Sequence, residues 1–127
     1  MLNGKDLRQA VEDCGALFND DGLVRSVKTM VERSRSDPMT ACYIDSSFPA
    51  LLFFAYKYAD SPEQAILANA NAGGENVARG SLLGALLGAA HGQGGFPSWT
   101  REGLHKKEEI AAEVNAFADS ISSPAVA

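Results

Sequence analysis

The stretch Gly73-Gly74-Glu75-Asn76-Val77-Ala78-Arg79-Gly80-Ser81-Leu82-Leu83-Gly84-Ala85-Leu86-Leu87-Gly88-Ala89-Ala90-His91 decides how this chain is read. The paired glycines interrupt the chain, and a helix is expected to follow them. Gly80, Gly84 and Gly88 stand four residues apart along one side. Each glycine costs about 1 kcal/mol of helix propensity relative to alanine. Close approach of neighbouring helices in a tight soluble core is the compensation that such a stripe predicts. The most apolar part, Ser81 to Ala90, is about half the ~20 residues a membrane span requires. The expected element is therefore a buried helix from about Asn76 to His91, with the histidine favoured at its C-terminus by the helix dipole.

Working back from this segment, Ser61-Pro62-Glu63-Gln64 supplies an N-cap serine, a proline at the first helical position and a glutamine at the third. That is a capping box for a helix running towards Ala72. In Phe48-Pro49-Ala50-Leu51-Leu52-Phe53-Phe54-Ala55-Tyr56, proline at the first helical position opens a helix apolar on nearly all sides, hence a central one. Met39 to Phe48 lacks helical rhythm and reads as an irregular connection. Leu7, Val11, Cys14 and Leu17 mark a first amphipathic helix, and Leu23, Val27, Met30 and Val31 a second. Asp20 or Asp21 caps the second, Ser36-Asp37-Pro38 stops it, and the two are expected to pair as an antiparallel hairpin.

Beyond His91, Gly92 to Gly95 reads as a flexible loop and Phe96-Pro97-Ser98-Trp99 as a turn with aromatic anchors. Ile110, Val114, Phe117 and Ile121 mark a last amphipathic helix, and residues 122–127 a frayed tail. No alternating strand pattern and no repeat occurs. The expected fold is all-α, a compact bundle of about six helices forming a single domain over residues 1–127.

Composition narrows the function. A chain of 127 residues supports one hydrophobic core. Its net charge of -5 provides no basic stripe for displacing counterions from a phosphate backbone, which argues against nucleic-acid binding. Cys14 and Cys42 lack CxxC spacing, so reduced thiols are expected rather than a disulfide or a zinc site. Met1 precedes a polar segment rather than an apolar one, so a cytoplasmic location is expected.

The richest polar cluster is Asn69, Asn71, Gly73, Gly74, Glu75, Asn76 and Arg79. Backbone N–H groups at the start of the following helix suit an anion such as a phosphate. Glu75 and Asn76 offer oxygens to a hard cation such as magnesium. The same residues also serve as ordinary helix caps, with Gly73 ending the preceding helix. Gly92-Gln93-Gly94-Gly95 lacks the strand that a dinucleotide loop follows. Ser81 does not sit in a nucleophile elbow. Glu108 and Glu109, after Lys106-Lys107, read as a solvated face.

The string from Asn71 to Ala89 resembles the C-terminal part of the ADP-ribosylglycohydrolase family. Ser47-Phe48-Pro49-Ala50-Leu51, Glu63-Gln64-Ala65-Ile66 and Phe96-Pro97-Ser98-Trp99 surround it in the order that family shows. The resemblance implies an all-helical fold that uses magnesium to position ADP-ribose for cleavage at the ribose anomeric carbon. It further implies metal ligands shared between two halves of a longer chain. Of the family's Gly-Gly-Asp-Thr-Asp-Thr string this sequence keeps Gly73 and Gly74. Glu75 stands for the first aspartate, Asn76 for a threonine, Val77 for the second aspartate and Ala78 for the last hydroxyl. These departures are similar to those of the divergent group that includes the J1-crystallins.

Carried over residue by residue, the resemblance implies ADP-ribose contacts from Tyr43, Ser47, Gly73, Gly74, Asn76 and Arg79. It implies magnesium at Glu75 and Asn76, and no catalytic residue within these 127. Two expectations stay open. The chain is a partial hydrolase that a missing N-terminal half completes, or it is a non-catalytic ADP-ribose-binding or crystallin-like structural protein without its metals. A partial helical domain also exposes apolar faces, so self-association is expected.

Overall fold

The computed structural model describes residues 6–17, 21–33, 36–38 and 42–122. Their secondary structure is entirely helical, with no strand among them: α1 (Leu7–Leu17), α2 (Asp21–Arg33), α3 (Ile44–Lys57), α4 (Pro62–Asn71), α5 (Asn76–His91), a 3-10 turn (Gln93–Gly95), α6 (Trp99–Glu102) and α7 (Lys107–Ser122). The chain forms two compact units, residues 1–96 and 97–127. The all-α expectation holds, and the element beyond the expected six is the single turn α6.

Within the first unit α3 is the central element, packing against α1, α2, α4 and α5. Every residue from Ala50 to Ala55 is buried, as a helix apolar all round must be. Phe53 and Phe54 meet edge to face, their centroids 5.7 Å apart. Burying one such ring stabilises by about 2–3 kcal/mol. Leu7 and Val11 of α1, Val27 of α2, Ala65 and Ala68 of α4, and Leu83 and Leu87 of α5 close the core around them.

Several local expectations are corrected. Pro49 does not open α3 but lies inside it. The helix gains a turn upstream because the Tyr43 carbonyl accepts from the Ser46 and Ser47 N–H groups (3.1 and 2.9 Å), with the Ser46 hydroxyl donating to it as well (3.0 Å). Proline is tolerated this close to the start because the carbonyl it leaves without a helical donor belongs to Asp45, an exposed residue. Part of the expected irregular connection is thus helix. The cap position at Ser61 and the proline at the start of α4 are as expected, yet Ser61 makes no side-chain capping bond. In α1 the buried face is Leu7, Val11 and Gly15, whereas Leu17 is 81% exposed. Asp20 lies outside the described residues, as does the expected tail apart from Ser122.

Only one glycine of the α5 stripe allows a close approach. A Cβ on Gly80 would fall 2.9 Å from Asn69 Nδ2, one on Gly88 would rest 3.9 Å from the Phe96 ring, and one on Gly84 would meet nothing within 4 Å. His91 closes α5 through Nε2 bonded to the Ala59 carbonyl at 2.6 Å.

Polar ties hold the rim of this unit. Lys57 and Tyr58 both bond Asp37 (2.6 and 2.8 Å), and Glu12 accepts from Lys28 and from the Tyr56 hydroxyl (2.8 and 3.1 Å). Arg8 pairs with Asp60 at 2.8 Å.

The second unit is α6 and α7 with their connection. Lys106, just before α7, takes a positive φ of 56°. Ile110, Val114, Phe117 and Ile121 form the expected stripe, and all four are exposed.

Candidate loop pocket between α3 and α5

The turn from α4 into α5 is shaped by Gly73 and Gly74, whose φ values of 70° and 64° lie in the left-handed region that glycine adopts without a Cβ penalty. The Gly74 carbonyl accepts from the Asn76 N–H at 2.8 Å, and the Glu75 carbonyl from the Arg79 N–H at 3.0 Å, starting α5. Glu75 occupies the N-cap position without making a side-chain capping bond. Asn76 donates its side-chain amide to the Ala70 carbonyl at 3.3 Å and accepts at its own carbonyl from Asn69 Nδ2 at 2.8 Å.

Beside this turn lies a half-open cavity of about 170 Å³ lined by Cys42, Ile44, Ser47, Phe48, Leu51, Glu75, Ala78, Arg79 and Leu82. Its walls are the first two turns of α3 and the first two of α5. Isoleucine, phenylalanine and leucine dominate them, and the polar groups are few: a hydroxyl, a thiol, a carboxylate and a guanidinium. The volume suits a single sugar or base ring, smaller than the ~300 Å³ and upwards of a pocket that encloses a drug-sized ligand.

Arg79 is the most heavily engaged group there, with 2% of its surface exposed. Its Nε donates to Asn69 Oδ1 at 2.6 Å, and Nη2 donates to the Asn69 and Gly73 carbonyls at 3.3 and 2.8 Å. Nη1 reaches Ser47 Oγ at 3.5 Å, and the guanidinium carbon lies 5.8 Å from the centre of the Phe54 ring. Burial lowers the Arg79 pKa, while the Glu75 charge acts in the opposite direction. An arginine starts so far above neutrality that it stays charged.

Of the residues expected at the site, the cavity brings together Ser47, Glu75 and Arg79. Gly73 joins through its carbonyl. Asn76 turns its amide away to the Ala70 carbonyl, and Tyr43 stands at the start of α3 with 79% of its surface exposed. The sequence reading assigned no role to Phe48 or Leu82, whose signal was only their place near the start of each helix. It also missed Asn69 as the hub of the turn. Gly80 leaves room for the Asn69 amide, a pairing across two helices that no local spacing signals.

The donor set does not fit a two-magnesium centre. Magnesium takes near-octahedral oxygen ligation at ~2.1 Å. Val77, 82% exposed, and Ala78, which lines the cavity, carry no side-chain oxygen. Among the described residues Glu75 is the only carboxylate lining this cavity. Among the described residues no group of three or more His, Cys, Asp or Glu side chains is placed to hold a metal ion.

An all-helical chain whose glycine-shaped turn and following helix wall a small cavity is the class that fold and site define together. The ADP-ribosylglycohydrolase family model matches residues 1–125, and the chain belongs to that family. No curated protein and no solved structure gives a significant match. Among the described residues no helix is long and apolar enough to cross a membrane.

Proposed function

We propose that this chain is a divergent, J1-crystallin-like member of its family that binds an ADP-ribose-type ligand without hydrolysing it by itself. The observation that carries this reading is the wall of the cavity. Among the described residues it presents one carboxylate, Glu75, where metal-assisted hydrolysis needs several oxygen donors, yet it keeps a ring-sized apolar recess with a hydroxyl and a buried cation. Family membership supports the ligand class. The recess accepts one ring of the ligand against Phe48, Leu51 and Leu82, with Ser47 within hydrogen-bonding reach. The remainder extends towards the exposed start of α3 at Tyr43 and the Gly73-Gly74 backbone.

Calorimetric titration of the purified chain with ADP-ribose tests this. Binding that Leu82→Trp abolishes by filling the recess, with no release of ADP-ribose from an ADP-ribosylated substrate, is the expected result. Heat identical to buffer dilution from a chain shown folded by circular dichroism would refute it.

A second reading has one observation in its favour. The Glu75 carboxylate stands at the cavity without being used as a cap, so it remains able to complete a metal site. In that reading a further segment or a partner subunit supplies the other acidic ligands, and the assembled protein hydrolyses an ADP-ribosyl bond with magnesium. Hydrolysis that appears on adding such a partner, and disappears in Glu75→Ala, would decide for it. Either protein is suited to the cytoplasm.

A further inference from the structure

A metal in a shared site does two jobs: it supplies fixed positive charge, and it ties together segments distant in sequence. At this turn a side chain does both. The Arg79 guanidinium is held from α5, and its donors reach Ser47 on α3, Asn69 on α4 and the Gly73 carbonyl in the turn. Asn69 returns the tie by donating to the Asn76 carbonyl, so both ends of the Gly73–Glu75 turn are fixed. The charge is permanent, because guanidinium does not release its proton under ordinary conditions. Gly80 is where the backbone makes space for this clasp, since a Cβ there would collide with the Asn69 amide.

We propose that the Arg79 guanidinium, clasped by Asn69, replaces a divalent cation as the organiser and fixed positive charge of this pocket, so that the turn is formed and binds its ligand without metal. The ligand class this selects carries negative charge close to a ring, as a ribose phosphate does. An approaching divalent cation meets a like charge in the cavity wall and, among the described residues, the one carboxylate of Glu75, whereas an anionic ligand meets a charge already desolvated and held in place. Arg79 acts here as a positioning residue. The proposal rests on the reading that this cavity is the ligand site.

The test uses the whole chain in two measurements, each with EDTA and with millimolar magnesium. Hydrogen exchange is followed in peptides covering residues 70–80, and ADP-ribose affinity is measured by calorimetry. The expected result is the same protection and the same affinity in both buffers. Arg79→Met is expected to lose the protection, with magnesium failing to restore it. Arg79→Lys, which keeps the charge and loses the fork, retains metal-independent binding at reduced affinity, and it carries the test if the methionine variant does not fold. Protection that rises with magnesium, or affinity tightened by roughly tenfold or more, overturns the proposal, as does an Arg79→Met chain with the turn still protected. Absence of ADP-ribose binding in both buffers refutes the ligand reading alone, since the exchange result judges the clasp independently.

Discussion

The helices α5 and α7 both carry apolar residues at helical spacing, and they end in opposite situations. In α5, Leu83 and Leu87 are fully buried and the Arg79 guanidinium of the same helix is bonded to two other helices and a loop. In α7 every residue from Lys107 to Ile121 is exposed, including Ile110, Val114, Phe117 and Ile121. Periodicity therefore identifies a face without telling what the face meets. What separates the two regions is how side chains meet: Asn69 and Arg79 bond across helices with Gly80 leaving them room, whereas Glu109 of α7 pairs with its near neighbour Lys106 at 2.9 Å.

The largest expected effect comes from breaking the clasp. Arg79→Met removes the donors to Asn69 and to the Gly73 carbonyl in a buried setting, where a hydrogen bond to a charged group contributes about 1.5–3 kcal/mol and an orphaned partner adds to the loss. Urea denaturation should show a stability decrease of about 3 kcal/mol or more.

Next is a pair of substitutions that separates the glycines of one helix. Gly80→Ala drives a methyl into the Asn69 amide and should destabilise by about 1–3 kcal/mol. Gly84→Ala meets open space and should stabilise by about 0.5–1 kcal/mol through helix propensity. Equal effects at the two positions would show that Asn69 is not held as described.

On the α7 side the expected change lies in association rather than stability. Its exposed stripe predicts species larger than the monomer in light scattering as concentration rises. Phe117→Glu should reduce them while moving the unfolding midpoint little. A wild-type chain that stays monomeric throughout would break this side of the comparison.

The smallest effect concerns acid. The Asp60 carboxyl is held below its ordinary value by its hydrogen bond from Arg8, and that of Glu12 by hydrogen bonds from Lys28 and Tyr56. A carboxylate with a lowered folded-state pKa contributes stability that is present above its unfolded value and lost as pH falls through the folded one. The loss should begin below about pH 4.5, and Asp60→Asn should remove a small part of it in an acid titration followed by circular dichroism.

The helical class, the central α3, the start of α4 and the glycine break before α5 were all legible in the sequence, because each depends on neighbours a few residues apart. The start of α3 was not, since proline normally marks a first turn and the carbonyl of Tyr43 is what extends the helix behind it. Among the candidate site residues, Ser47, Glu75 and Arg79 meet at the cavity, while Asn76 bonds the Ala70 carbonyl and Tyr43 is exposed at the start of α3. Which of them converge depends on how α3 and α5 pack, and no local spacing encodes that. The direction of Arg79 was hidden for the same reason: its partners lie six, ten and thirty-two residues away.

The central claim is that Asn69 and Arg79 act as one unit, and a double-mutant cycle between them tests it most directly. Stability is measured for the wild-type chain, Asn69→Ala, Arg79→Lys and the double variant. The account predicts that the double variant loses less than the sum of the singles, by about 1 kcal/mol or more. Additivity within about 0.5 kcal/mol, the behaviour of independent sites, would contradict it.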